Sequence, residues 1–244
     1  MKPFLVLQLR PEDDASDDEF HAILDKGGLE SHRAHRVRLE REPLPADLSL
    51  DDFAAIIVGG GPGCVSDPAD KKTPDEARAE ATIMGLMPEI TASDKPFLGC
   101  CYGIGILAHH LGGEVSKDRY SEPVGPVTCR VTSDGQQDPL LKGLPEVFDA
   151  LVGHKEAVQA LPPGAVHLMS SEPCPYQMLR FGENVYSTQF HPEADAEVFA
   201  ERIRIYGGHG YFEPEEAVAL TEACHAANIM FPKEILRRFV ARFG

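Results

Sequence analysis

Gly99-Cys100-Cys101-Tyr102-Gly103 stands between the short stretch Asp94-Lys95-Pro96-Phe97-Leu98 and an apolar helical stretch. Glycines two residues either side of a central residue, where a strand feeds a helix, mark a turn too sharp for ordinary neighbouring side chains. A chain with such a turn is confined to folds in which strands lead directly into helices. The central residue is Cys101. The pattern predicts an exposed thiol at the top of a sheet and at a helix N-terminus, where the dipole favours thiolate. That combination points to an enzyme working through a thioester.

The flanking sequence agrees with such a fold. Residues 3–9 read as a strand, Ser16 to Gly27 as an amphipathic helix and His32–Leu39 as a second strand. Residues 54–58 form a continuous apolar run, as expected of a buried parallel strand. Pro74–Ser93 reads as a helix with proline and acids in its first turn, and residues 96–100 as the strand before the turn. The helix after it runs to Leu111 and closes at Gly112-Gly113. Beyond residue 114, five stretches (124–131, 147–152, 165–170, 177–180 and 185–190) read as antiparallel additions. Residues 196–206, 214–227 and 232–243 read as helices. The expected fold is α/β, a doubly wound and mostly parallel sheet with helices on both faces and added antiparallel strands. No linker divides it, so residues 1–244 read as a single domain.

Composition narrows the function classes. A net charge of −16 argues against nucleic-acid binding, which needs clustered Lys and Arg. No apolar run approaches the roughly 20 residues of a membrane span, and Phe4–Leu9 is too short for a signal-peptide core. The expectation is a cytoplasmic protein. Six cysteines do not resemble a disulfide scaffold, and no Cys-x-x-Cys or His-x-x-x-His pair suggests a metal. No cofactor is implied.

A cysteine nucleophile needs a base, and the base needs an orienting partner. His109 and His110 lie down the helix that starts at the turn, about 12 Å away at 1.5 Å per residue, out of reach of the thiol. His191 is the better candidate. Pro192 keeps it out of helical angles, and in extended chain His191 and Glu193 share a face. Gly59-Gly60-Gly61-Pro62-Gly63 follows the buried run 54–58 with no Gly-Lys-Ser/Thr after it, which excludes a P-loop. A backbone N–H from that loop, with the N–H of Tyr102, would complete an oxyanion hole. Without the turn at Cys101, a tight turn needed only for packing would be the plainer reading of the loop.

The three segments, in this order and spacing, resemble the class I (triad) glutamine amidotransferase family, in its stand-alone branch similar to the glutaminase domain of GMP synthase. The resemblance rests on Gly59-Gly60-Gly61-Pro62, on Gly99 through Gly105 and on His191-Pro192-Glu193. Leu111–Val115, Asp138–Pro145, Gly153-His154-Lys155 and Leu161–Ala165 add to it. It implies a flavodoxin-like sheet, with Cys101 attacking the side-chain amide of glutamine, His191 as base and acid, and Glu193 as its orienter. It also implies oxyanion donors at Gly61 and Tyr102, and substrate contacts at Gly60, Gly105, His154 and Gln189. The substrate it implies is a small molecule, glutamine or another γ-glutamyl compound. An ammonia-accepting synthase partner and a homo-oligomer stay open. Gly105 stands where relatives carry Gln, which predicts a lost polar contact and extra space beside the substrate. That keeps a γ-glutamyl hydrolase of larger amides in view beside a glutaminase. A non-catalytic protein on the same fold is the third reading.

Overall fold

The computed structural model describes residues 1–244. The chain opens with β1 (Phe4–Gln8), α1 (Asp13–Gly27), β2 (Ala34–Arg38) and β3 (Ala55–Val58). It continues through α2 (Pro74–Ser93), β4 (Phe97–Cys100) and α3 (Tyr102–His110). A more broken stretch follows: β5 (Val115–Ser116), β6 (Gly125–Val131), α4 (Ser133–Gln137), β7 (Val147–Val152) and β8 (Ala157–Val158). The chain ends with β9 (Ala165–Ser170), β10 (Met178–Phe181), β11 (Val185–Thr188), α5 (Ala196–Tyr206), α6 (Ala217–Ala226) and α7 (Pro232–Phe243).

Nine strands form one sheet in the order β2-β1-β3-β4-β11-β10-β9-β6-β7, and β5 and β8 pair separately. From β2 to β11 every pairing is parallel, and from β11 to β7 every pairing is antiparallel. Residues 185–190, expected among the antiparallel additions, therefore need correction. Their strand, β11, runs parallel to β4 on one side and antiparallel to β10 on the other. All four of its residues are buried, the mark of a central strand covered on both faces.

Alternation along β1 sends Phe4 and Val6 to one face, where Ile23 of α1 and Ile235 and Phe239 of α7 pack. Leu5 and Leu7 go to the other, against Ala79, Ile83 and Met87 of α2 and Ile106 and Leu107 of α3. Helices thus cover both faces of the parallel half. A capping box starts α2: Thr73 Oγ1 accepts from the Glu76 N–H, and the Glu76 carboxylate accepts from the Thr73 N–H. The expected helix 214–227 is a 3₁₀ turn at Pro214–Glu216 followed by α6. No helix is long and apolar enough to cross a membrane.

Candidate active site

Cys101 sits between β4 and α3 with φ 55° and ψ −88°, a positive-φ conformation outside the allowed regions that an L residue adopts only under constraint. Its N–H donates to Thr188 O of β11 at 2.7 Å, fixing the turn to the neighbouring strand. Gly99 is required by contact, since a Cβ there would stand 2.9 Å from Gly103 Cα. A Cβ on Gly103 itself would meet nothing within 4 Å. The thiol is not exposed as the turn alone predicts: Cys101 is 7% accessible. Burial pushes its pKa up to about 12, against the opposing charge of Arg10. The resting group is therefore the thiol rather than a dipole-stabilised thiolate, and it needs a base to react.

His191 follows the end of β11, its N–H held by Leu151 O at 3.0 Å. Its Nδ1 donates to Glu193 Oε1 at 2.8 Å, which leaves Nε2 as the acceptor. Burial lowers the His191 pKa, with Glu193 opposing and Arg202 adding to the shift. The imidazole is neutral at neutral pH, the form a base requires. Glu193 is fully buried. Burial would raise its pKa, but its interactions with His191, which hydrogen-bonds it, and with the Arg202 guanidinium prevail and hold it below the ordinary carboxylate range. Arg202 of α5 places Nη1 2.9 Å from Glu193 Oε1. Phe199 on the same helix packs its ring 5.9 Å from that of His191.

The loop after β3 meets these groups at Gly60. A Cβ there would stand 2.7 Å from His191 Cε1, 2.8 Å from Arg10 Nη2 and 3.6 Å from Cys101 Cβ, so imidazole, guanidinium and nucleophile converge on one point. The Gly60 N–H donates to Glu19 Oε1 at 3.0 Å. The same oxygen accepts from Arg10 Nε at 2.8 Å. Gly60 is thus a backbone spacer whose donor is committed, and the next residue, Gly61, lines the cavity beside Cys101. Tyr102 is the first residue of α3, where a backbone N–H has no partner within the helix.

On the side of Cys101 towards α3 lies a cavity of about 330 Å³ lined by Gly105, His154, Lys155, Glu156 and Gln189 among others. Gln189 brings Nε2 to 4.0 Å from Cys101 Sγ. The extra space expected beside Gly105 is absent. A Cβ there would stand 3.0 Å from Glu156 Oε1 and 3.3 Å from Val65 Cγ2. The Glu156 carboxylate fills the position, held by the N–H groups of Val65 and Ser66 at 2.8 Å each. His154 is a wall of the cavity and not a donor to it. Its Nδ1 is bonded to Glu156 O at 2.8 Å and its Nε2 to Glu122 Oε2 at 2.9 Å. Glu122, His154 and Cys174 have ligand-type atoms within 4.8 Å of one another. Glu122 already accepts from Ser171 Oγ and Gln177 Nε2 as well, so the cluster is a hydrogen-bonded network behind the cavity wall. His109 and His110 stay on α3, His110 bonded to Thr91 Oγ1 at 2.9 Å.

The family model "Glutamine amidotransferase class-I" matches residues 15–204, a span that includes the turn, the glycine loop and His191-Pro192-Glu193. The chain belongs to this family. Among curated proteins, the GMP synthase of Thermosipho africanus is 34% identical over 168 residues, covering 66% of this chain and 29% of that protein. That of Aeropyrum pernix is 34% identical over 183 residues, 70% of this chain and 32% of that protein. The chain thus spans about a third of the length of the curated relatives it matches. A glutamine amidotransferase structure from Thermotoga maritima superposes with a TM-score of 0.77 at 20% identity, over 100% of this chain and 98% of that one. One from Methylobacillus flagellatus gives 0.72 at 22%, over 100% and 94%. These likenesses establish the α/β amidotransferase fold.

Several residues that line this candidate site carry no local motif. Arg10 lies just beyond β1 and Glu19 on α1, yet both reach the glycine loop. Arg202 follows Glu193 by nine positions on a helix, and the 3.6-residue period of α5 could have flagged it, with Phe199, on the sheet side. Glu156 and Tyr211 lie far along the chain from the groups they touch, and nothing in their neighbours announces it.

Proposed function

We propose that the protein hydrolyses the side-chain amide of glutamine, with Cys101 as nucleophile, His191 as general base and then acid, and Glu193 as the group that orients His191. In this reading the neutral imidazole takes the thiol proton through Nε2 as Sγ attacks the amide carbon. The oxyanion is held by the N–H groups of Gly61 and Tyr102. His191 then returns the proton to the leaving nitrogen, ammonia departs, and water cleaves the thioester to glutamate. The reading is carried by one observation: a buried His191 whose Nδ1–H is given to Glu193 and whose ring edge shares the space over Gly60 with Cys101.

The cavity beside Gly105 supports a γ-glutamyl acyl group. Its free amino-acid end is a zwitterion, and the cavity offers both the Lys155 ammonium and the Glu156 carboxylate. Gln189 and Gly61 lie nearer the reacting amide. The names of the GMP synthase relatives favour a synthase as the acceptor of the ammonia. Incubation with glutamine should release ammonia and glutamate in equal amounts. Cys101→Ala should lower both rates by at least about a thousandfold. Release by Cys101→Ala at the wild-type rate would reject the assignment.

A further inference from the structure

Glu193 meets two cationic or donor groups with a single oxygen. Its Oε1 accepts from His191 Nδ1 at 2.8 Å and stands 2.9 Å from Arg202 Nη1, while Oε2 is buried without a hydrogen-bond partner. The side chains of His191, Glu193 and Arg202 are 3%, 1% and 5% accessible. None of the three Arg202 guanidinium nitrogens makes a hydrogen bond, so Arg202 acts on Glu193 as a charge rather than as a two-pronged clamp. A buried ion pair gains little stability over well-packed apolar side chains. Holding α5 to the sheet therefore does not by itself account for a guanidinium at this point.

The helix delivers that charge by its period. Phe199 and Arg202, three positions apart on α5, share the face turned to His191 and Glu193. The other groups around the pair are already engaged or uncharged. Arg10, beyond β1, gives its Nε to Glu19 of α1 at 2.8 Å, and Glu19 also accepts from Gln8 and Gly60. Asp18 of α1 is only part-buried, and Glu201 of α5 pairs with Arg204. Tyr206 of α5 gives its hydroxyl to Glu12. Burial keeps the Cys100 and Cys101 thiols protonated, and from α6 comes the Cys224 thiol, pushed up in the same way. Arg202 is thus a cation paired with the very carboxylate that His191 uses.

We infer that Arg202 is a positioning residue for the reaction, acting through Glu193 and by its own charge to weaken the hold of His191 on a proton. The inference rests on the roles proposed above for Cys101, His191 and Glu193. Its effect is unfavourable in the first step, where His191 takes the thiol proton. It is favourable in the second, where the same proton must pass to the leaving nitrogen. The Arg202 charge adds to burial in lowering the His191 pKa, which agrees in sign.

The test follows the rate at which the glutamine-like electrophile 6-diazo-5-oxo-norleucine labels Cys101, read by mass spectrometry across acidic and neutral pH. It compares the wild type with Arg202→Gln, Arg202→Met and Arg202→Lys. Gln keeps a donor for Glu193 without the charge, and Lys keeps the charge without the guanidinium. The acid limb should move up by at least about half a pH unit in the Gln and Met variants, and Arg202→Lys should return it to the wild-type position. A limb that stays in place in both neutral variants, whatever their absolute rates, would overturn the inference and leave the nucleophile assignment standing. So would neutral variants that fail to fold while Arg202→Lys folds, since the charge would then be structural. No labelling of Cys101 in the wild type would overturn the roles proposed above, and this inference with them.

Discussion

One carbon atom added at Gly60 would collide with His191 Cε1 and Arg10 Nη2, so the whole reactive constellation depends on a missing side chain. Gly60→Ala should lower kcat/KM at least about a hundredfold, because the imidazole must move from the thiol. An unchanged kcat/KM would mean that His191 is not positioned over this glycine during the reaction. Protonation gives a second test at this scale. Burial lowers the His191 pKa from the ordinary 6.5, so the neutral base persists as pH falls below that value. Activity should be lost only as pH drops through the depressed pKa. It should stay flat through neutral and mildly alkaline pH, since burial places the Cys101 thiol at about 12. In Glu193→Gln the carboxylate that opposes the His191 shift is gone. Its acid limb should move to still lower pH while kcat/KM falls about a hundredfold or more. An acid limb above 6.5 in the wild type would contradict this arrangement. Cys101, His191 and Glu193 are legible in sequence because each stands in a local pattern of glycine or proline. Arg10, Glu156 and Arg202 are not, since their partners lie on other elements and a charged residue near a strand or helix end has many ordinary uses.

At the scale of elements, α2, α5 and α7 carry their bounds in the chain. Pro74 and Pro232 open two of them, and Asp195 caps the third by accepting from the Val198 N–H at 3.1 Å. Thr73→Ala removes the acceptor for the Glu76 N–H and should cost about 0.5–2 kcal/mol, read from the urea midpoint. An unchanged midpoint would mean that the first turn of α2 contributes nothing to folding. The antiparallel half is harder to read. β5 and β8 have two residues each and pair across some forty positions, too short for any periodicity. β11 alternates sense between its two neighbours, and no local signal distinguishes that from an all-antiparallel setting. The misjudged room beside Gly105 has a similar cause. What fills it is a carboxylate from just before β8, anchored to the turn after the glycine loop.

Across the whole molecule, the sheet changes from parallel to antiparallel at β11, and the reactive groups gather at that seam. Cys101 is bonded to the end of β11, His191 and Glu193 continue from it, and the glycine loop projects from β3 two strands away. The C-terminal ends of adjacent parallel strands form the usual crevice of open α/β sheets. Here α5 and the segment to Phe212 close one side of it, while Glu156 and His154 close the other. The central claim is that Cys101 becomes the acylated group. Intact-mass and peptide mass spectrometry after treatment with the glutamine-like electrophile 6-diazo-5-oxo-norleucine tests it directly. One adduct per chain, mapped to Cys101 and absent in Cys101→Ala, is the expected result. An adduct on any of the other five cysteines, or none at Cys101, would contradict the account.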